Sequence, residues 1–337
     1  MILVLGPNLA VDRVLAVPGF EAGRVFRTGQ TRVVAGGKGA NVARALKALG
    51  GQPHLVGLVA GWTGSFIRES LRQEGIVATA VEVEGLSRTC TLLVDPDTGQ
   101  ATVVNEEGEL AISPARMALL EETLDPLISR ARVVVCSGSL PPALPPDFYA
   151  RVIDRARRHG ALTVLDTSAR ALREGITARP HLIKPNRTEL VQLLHGLDPR
   201  YDSLDPGREP ALDTGPAGGE AVLAEAARAL VSRGIEAVVV SMGAAGALAV
   251  TSDGAWLARA PAVRVVNPIG AGDSMVAALA EGLASGQPLP EILRRAVAAG
   301  SADVTTFGPG VIDREEVERL AAAVEPMPLA ASGGHLA

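Results

Sequence analysis

The chain has 337 residues, of which 47% are hydrophobic, 20% charged and 3% aromatic, and its formal net charge is -5. This composition suits one large α/β core and excludes a disordered chain. The acidic balance, the few aromatic side chains and the lack of a dense lysine and arginine stripe argue against nucleic acid as a partner. No apolar run reaches the roughly 20 residues of a membrane-spanning helix, so we expect no membrane association. The sequence therefore predicts a cytoplasmic protein that binds small molecules.

Two cysteines occur, Cys90 and Cys136. They are too few for a disulfide framework and lack the spacing of a zinc or redox motif. We expect both to be buried, reduced and structural.

Short apolar runs rich in β-branched residues alternate with helical patterns that end in glycine. The strand-like runs are residues 1–5, 54–59, 132–136, 162–165, 181–183 and 235–241. The helical patterns are residues 41–50, 147–159 and 220–233. This alternation is typical of repeated βαβ units, so the sequence predicts a mainly parallel sheet in an α/β fold.

Two segments interrupt the alternation of strands and helices. Residues 12–35 carry short apolar pieces without a helical period, and residues 87–106 contain two strands around a Pro/Asp/Gly turn. Together they predict a small β-sheet that stands over a ligand as a lid. The predicted core is residues 1–11, 36–86 and 107–325. The segment 196–219 is rich in Pro, Gly and Asp and predicts a surface loop, and residues 326–337 predict a frayed tail.

The strongest functional signal is the segment NPIGAGDS, residues 267–274, which leads into a helical run. Its glycines allow the backbone to approach a phosphate, and the free N–H groups of the first helical turn attract anions. Asp273 beside them could take the proton of an incoming hydroxyl. The structural alternative is that Asp273 only caps its helix.

A second glycine-rich segment, AGGKGAN at residues 35–41, enters the first long helix. It is not a Walker A loop, because Gly39 and not Ser or Thr follows Lys38. The glycines suggest backbone close to a small polar ligand, with Lys38 and Asn41 able to bind its hydroxyls. The alternative is a tight strand-to-helix turn.

Two further segments follow predicted strands, where ligands of open α/β sheets gather. In KPNRTEL, Asn186 and Glu189 could hold the water shell of Mg²⁺ near phosphates, or they could form a capping box. In SMGAAG, which begins at Ser241, the backbone could pass around a nucleotide or form a plain hairpin. On the predicted lid, Arg88 and Arg27 could clamp a phosphate of the substrate through charge-assisted bonds, or they could simply be solvated.

Taken together, these motifs resemble the ribokinase/PfkB superfamily of sugar kinases. AGGKGANVARAL and NPIGAGDSMVAAL are similar to its two characteristic motifs. NLAVD, SRTCTLLV, SGSLPP, IKPNRTEL and SMGAAGAL resemble the branch that contains 1-phosphofructokinase, the minor 6-phosphofructokinase and tagatose-6-phosphate kinase. The resemblance runs in order from residue 1 to about residue 320.

The resemblance implies a ribokinase-like three-layer α/β/α sandwich with a β lid, and an ATP- and Mg²⁺-dependent kinase for a ketohexose phosphate. Kinases for an unphosphorylated sugar or nucleoside are the alternative, and a homodimer is expected. Asp273 is implied as the catalytic base, with an anion hole formed by Gly270, Ala271 and Gly272. The implied sugar-phosphate ligands are Asp12, Arg27, Gly37, Lys38, Asn41, Arg88 and Ser139. The residues implied for ATP and Mg²⁺ are Lys184, Asn186, Glu189, Ser241, Gly243 and Gly246.

Overall fold

The computed structural model describes residues 1–195, 197 and 218–329. The strands are β1 (Ile2–Asn8), β2 (Ala10–Ala16), β3 (Thr31–Gly36), β4 (Pro53–Val59), β5 (Val77–Glu82), β6 (Glu84–Leu86), β7 (Arg88–Asp95), β8 (Gln100–Asn105), β9 (Glu109–Ala111), β10 (Val133–Ser137), β11 (Leu162–Asp166), β12 (Leu182–Ile183), β13 (Ala237–Ser241), β14 (Ala247–Val250), β15 (Ala255–Ala258) and β16 (Pro326–Pro328). The α-helices are α1 (Lys38–Ala48), α2 (Gly61–Gln73), α3 (Pro114–Ile128), α4 (Phe148–Arg158), α5 (Ala169–Gly175), α6 (Arg187–Leu194), α7 (Gly218–Val231), α8 (Ala271–Ala284), α9 (Leu289–Asp303) and α10 (Arg314–Ala321).

A ten-stranded sheet with the order β16-β15-β14-β13-β12-β11-β10-β1-β4-β5 forms the centre of the molecule. The seven strands from β13 to β5 in this order are parallel, and β14, β15 and β16 add antiparallel strands at one edge. The predicted α/β fold with a mainly parallel sheet is therefore confirmed. Because all seven parallel strands end at the same edge, the side chains that follow them are brought together there.

Helices cover both faces of the sheet, which gives three layers. Ile2 and Val4 of β1 point into a buried cluster with α1, α8, α9 and α10. Leu3 and Leu5 point to the opposite face, into a cluster with α3, α4, α6 and α7. The strand is apolar on both faces because neither face meets water, as expected for a central parallel strand.

A second sheet stands off the first, and we call it the lid. It consists of β3, β2, β7 and β8 in that order. The β2–β3 and β7–β8 pairs are antiparallel, whereas β2 and β7 are parallel. The inner face of the lid packs Val14, Cys90 and Leu92 against Ile269 and Phe307 of the core.

The predicted frayed tail is wrong at its start. Pro326–Pro328 pair with β15 and extend the central sheet as β16, because the edge of β15 offers free backbone groups to the returning chain. The rest of that tail lies beyond the described residues, apart from Leu329, and the predicted loop 196–219 also falls largely on residues outside them. The described part of the chain has no helix long and apolar enough to cross a membrane. Cys90 and Cys136 are both free and buried, as expected.

Strand β1 and helix α1 approach each other so closely that only glycines fit between them. A Cβ on Gly39 would lie 2.6 Å from the Cα of Gly6. This contact sets the position of the N-terminus of α1 and hence of Lys38.

We expect Gly39→Ala to lower the free energy of unfolding by roughly 1–3 kcal/mol, because the backbones of β1 and α1 must separate. The measurement is urea unfolding followed by circular dichroism. Gly29→Ala is the matched control: a Cβ there meets no atom within 4 Å, and we expect a change within about 0.5 kcal/mol. Equal stability of the two variants would contradict the close-contact argument.

Candidate active site

The N-terminus of α8 forms a glycine turn whose free backbone amides suit an anion, and we call it the anion-binding turn. Gly270 is the N-cap residue with φ 106°, in the left-handed region, and no side chain caps the helix. A Cβ on Gly270 would lie 2.6 Å from Oδ2 of Asp303, so this position requires glycine. The N–H groups of Asp273 and Ser274 donate to the Gly270 carbonyl at 2.9 and 3.0 Å. Those of Ala271 and Gly272, which have no acceptor within the helix, are therefore the amides that can face an anion.

Asp273 lies in the first turn of α8 and is not its cap. Its side chain is buried, and its Oδ2 accepts a hydrogen bond of 2.9 Å from Nδ2 of Asn41. Burial raises the pKa of Asp273 to about 7, assisted by the nearby charge of Asp166 and opposed by Lys38, the Asn41 bond and Lys184. A carboxyl with a pKa near neutral is suited to accept a proton from a hydroxyl.

The orientation of Asn41 is fixed from behind by Arg44. Nη1 of Arg44 donates to Oδ1 of Asn41 at 3.0 Å, and Nη2 of Arg44 donates to Oε1 of Glu74 at 2.9 Å. Because the Asn41 oxygen is occupied, its NH₂ group must point toward Asp273. Sequence reasoning selected Asn41 but missed Arg44, which lies one turn further along the same helix.

A buried carboxylate between two lysines is the second feature of the site. Asp166 ends β11 and is 1% exposed. Its carboxyl oxygens lie 3.3 Å from Nζ of Lys38 and 3.1 Å from Nζ of Lys184. Burial alone would raise the pKa of Asp166, but Lys184 and Lys38 hold it below its ordinary value. Asp166 was not predicted, although an Asp at the end of a parallel strand is a usable signal.

The two lysines lie near Asp273 and the glycine turn that precedes it. The Lys184 ammonium lies 3.4 Å from the place where a Cβ of Gly272 would be. Burial alone would lower the pKa of Lys38, but Asp166, Asp273 and Glu189 raise it above its ordinary value. This arrangement can hold phosphate oxygens in front of the anion-binding turn.

On the lid side, Asp12 faces the start of α1. It is 5% exposed, and a Cβ on Gly36 would overlap its carboxyl group at 1.9 Å. Burial raises its pKa, against the opposing effects of Arg44, the Gly37 N–H and Arg88. The structure thus brings Asp12, Gly37 and Arg88 to one region.

Ser139 and Arg27 differ in their placement. Oγ of Ser139 accepts a hydrogen bond of 3.0 Å from Nδ2 of Asn8, which ends β1. Arg27 is exposed in the connection between β2 and β3. Of the predicted phosphate clamp, only Arg88 is therefore part-buried beside Asp12.

The segment from Lys184 to Glu189 does form the capping box that was its structural alternative. Oδ1 of Asn186 accepts from the Glu189 N–H at 2.8 Å, and Oε2 of Glu189 accepts from the Asn186 N–H at 2.9 Å. The cap leaves the second carboxylate oxygen of Glu189 and the amide NH₂ of Asn186 outside its two bonds. Capping and contact with the water shell of a metal ion are therefore compatible.

Residues Ser241–Gly246 form the turn of the antiparallel β13–β14 hairpin, the structural alternative for this segment. The hairpin borders a cavity of about 620 Å³ that reaches Gly272 at the anion-binding turn. The lining is mainly apolar and includes Ala244, Val263, Met275 and Val297. An apolar slot that opens onto an anion-binding turn fits a nucleotide, with the base in the slot and the phosphates at the turn.

The residues present fit a magnesium ion that is held largely through water. In the ranges that the structure describes, no group of three or more His, Cys, Asp or Glu side chains could hold a metal ion by itself. Oγ of Ser137 and Oγ1 of Thr167 are buried at the ends of β10 and β11, and neither has a hydrogen-bond partner among the described residues. Such oxygens, with the carboxylate of Glu189, suit Mg²⁺ bound to substrate phosphates, which keeps several waters.

Comparison with known proteins assigns the family. The model of the pfkB family carbohydrate kinases matches residues 1–315. The chain belongs to this family. The 1-phosphofructokinase of Bacillus subtilis is 32% identical over 320 residues, 95% of this chain and 97% of that protein. The tagatose-6-phosphate kinase of Staphylococcus epidermidis is 32% identical over 327 residues, 96% of this chain and 99% of that protein.

A solved structure supports the pfkB assignment. The crystal structure of phosphofructokinase-2 from Escherichia coli in complex with substrates and products superposes with a TM-score of 0.82 at 29% identity, covering 96% of this chain and 98% of that one. The predicted family, its ribokinase-like fold and its enzyme class are thereby confirmed: the protein is a carbohydrate kinase, a phosphotransferase with an alcohol group as acceptor.

We expect Asp273→Asn to lower kcat by about 10²- to 10⁴-fold, because the amide cannot take a proton. In the wild type, kcat/KM should rise with pH up to about 7, where Asp273 becomes ionised. Steady-state kinetics across pH 5.5 to 9 would show this limb as about one decade per pH unit. Asp313→Asn changes a carboxylate that does cap a helix and should leave kcat unchanged. Near-normal turnover of the Asp273→Asn enzyme would refute the base assignment.

The same substitution should increase stability at alkaline pH. A carboxyl whose folded pKa is about 7 against an ordinary 3.8 favours folding below pH 3.8, and this stabilisation is lost as pH rises to about 7. Asn has no such dependence. The thermal midpoint of the Asp273→Asn enzyme should therefore exceed that of the wild type at pH 8, and the difference should shrink toward pH 4.

Proposed function

We propose that the protein transfers the γ-phosphoryl group of ATP to a hydroxyl of a ketohexose phosphate, giving a bisphosphate. The observation that carries this proposal is the juxtaposition of the buried Asp273 carboxyl, the amides of Ala271 and Gly272, and the Lys38–Asp166–Lys184 cluster. This combination supplies a base, an anion hole and cations for a transferring phosphoryl group. The named relatives support the substrate class, since they include a 1-phosphofructokinase and a tagatose-6-phosphate kinase.

In the proposed mechanism, the sugar lies between the lid and the start of α1, with Asp12 and Asn41 as hydrogen-bonding partners for its hydroxyls. The acceptor hydroxyl faces Asp273, which takes its proton as attack on the phosphorus proceeds. Glu189 and Asn186 would hold Mg²⁺ through water, and the ion would neutralise the nucleotide phosphates. Lys184 and Lys38 balance charge on the phosphoryl oxygens, and the lid excludes water as a competing acceptor. We propose the cytoplasm as the compartment of the enzyme, because the proposed reaction consumes ATP.

One observation favours a second candidate, a kinase for an unphosphorylated sugar. Arg88 borders a cavity of about 440 Å³ that is also lined by Glu106, Glu107 and Glu109. Three carboxylates beside the predicted phosphate clamp oppose an anionic substrate. Arg88 offsets this effect only in part, so the acceptor must be decided by assay.

The deciding assay measures ADP release with ATP and Mg²⁺ against fructose 1-phosphate, fructose 6-phosphate, tagatose 6-phosphate, fructose and ribose. We expect turnover with one or more of the ketohexose phosphates. Activity with unphosphorylated acceptors alone would overturn the proposal in favour of the second candidate.

Arg88→Ala should raise the KM for the sugar phosphate by about 10- to 100-fold, because one or more charge-assisted hydrogen bonds are lost. The KM for ATP should stay within about twofold. Arg68→Ala is the matched control, because Arg68 forms an exposed surface ion pair with Glu82 on the core. An unchanged KM for the sugar phosphate in the Arg88→Ala enzyme would exclude the clamp.

We propose further that the lid forms the interface of a homodimer. Its outer face exposes apolar side chains, including Val33 at 43% and Val104 at 58% exposure. Such a face on a small sheet suits a second copy of the same face. Light scattering should give twice the chain mass for the wild type and the chain mass for Val104→Asp, whereas Val77→Asp, at an exposed position on β5, should remain dimeric. A monomeric wild type would refute the proposal.

A further inference from the structure

Tyr149 is a fully buried tyrosine at the start of α4, in the apolar layer beneath the end of β10. Its ring lies in the same core cluster as Phe148. Its hydroxyl oxygen lies 3.1 Å from the Ser137 carbonyl oxygen and 2.9 Å from that of Gly138. A phenol has a single proton, so the two carbonyls share one donor. Burial raises the pKa of Tyr149 well above its usual value, which keeps that donor protonated.

The turn that Tyr149 contacts joins three parts of the candidate site. Gly138 has φ 95°, and its N–H donates to the Asp166 carbonyl at 2.9 Å. A Cβ on Gly138 would lie 3.4 Å from Cβ of Lys38. The next residue, Ser139, accepts from Asn8. A shift of this turn would therefore move Ser139, whereas Lys38 and Asp166 are held in place by their own ion pair and by that of Asp166 with Lys184.

Packing alone does not explain the hydroxyl group. The neighbouring Phe148 fills the same apolar layer without a polar atom, and a phenylalanine at position 149 would bury nearly the same surface. A buried hydroxyl is unfavourable unless it is hydrogen-bonded, and the acceptors of this one are both in the turn that carries Ser139.

We propose that Tyr149 is a positioning residue, whose hydroxyl holds the Ser137–Ser139 turn in the geometry that receives the phosphorylated sugar. This inference rests on the proposed function. Tyr149 itself does not touch substrate. It acts through Ser139. Removal of its hydroxyl should therefore weaken binding of the sugar phosphate selectively and leave ATP binding unaffected.

The test is Tyr149→Phe, which deletes one oxygen and keeps the ring. We expect kcat/KM for the sugar phosphate to fall about tenfold. A tenfold change corresponds to about 1.4 kcal/mol, which is the contribution of about one hydrogen bond. The KM for ATP should stay within about twofold. Phe148→Leu is the matched control, since it should lower the thermal midpoint by disturbing the same core and leave both KM values unchanged.

A double-substitution cycle separates positioning from general destabilisation. If Tyr149 acts through Ser139, the losses of kcat/KM in Tyr149→Phe and Ser139→Ala will not add in the double variant. Additive losses, or a Tyr149→Phe enzyme with unchanged sugar-phosphate kinetics, would overturn the inference. If the wild type accepts only unphosphorylated sugars, the proposed function fails, and the same cycle with that sugar still decides the role of Tyr149.

Discussion

The buried carboxylate of Asp166 is the constraint on which the candidate site depends. Two ammonium groups side by side repel each other, and the Asp166 carboxylate between them holds both in place. The lysine side chains are therefore already placed to bind phosphate oxygens and need not be brought together first. The position of Asp166 depends in turn on the parallel register of β10 and β11, which sets Ser137 beside Asp166. The sheet topology therefore determines the electrostatics of the site.

At Asp273 the effect of burial on the pKa outweighs that of the neighbouring cations, the reverse of the situation at Asp166. Its pKa near 7 results from desolvation and from Asp166, while Lys38, Asn41 and Lys184 act against them. A carboxyl in this environment is poised between its two protonation states near neutral pH, which suits proton transfer. The same desolvation makes the folded protein less stable above neutral pH than an amide at that position would. The proposed catalytic role of Asp273 and the stability of the fold thus make opposite demands on this residue.

The local features of the site can be predicted from the sequence. Features that depend on contacts between residues far apart in the chain cannot. The glycine turn at Gly270 and the strands that precede it can be predicted, because the φ preference of glycine and the apolar periodicity of strands depend only on neighbouring residues. The ion pair of Asp166 cannot be predicted in the same way, since its partner Lys38 is 128 residues away in the chain. The capping box at Asn186 shows a further limit of prediction from sequence. The same residue pattern is expected for a helix cap and for contact with the water shell of a metal ion. β16 was missed because pairing with an exposed edge leaves little pattern in three residues.

The connection between core and lid has a mechanical consequence. β1 ends at Asn8 and β2 begins at Ala10, so a single residue, Leu9, separates the two sheets on that side. On the other side, β3 runs directly through Gly36 and Gly37 into α1. Both of these connections are short, so they leave the lid little freedom to swing independently. In the proposed mechanism, a rotation that brings Asp12 onto a sugar would also stress the start of α1, which carries the proposed phosphate ligand Lys38. Binding at one end of the cleft would then be transmitted through the backbone to the other end.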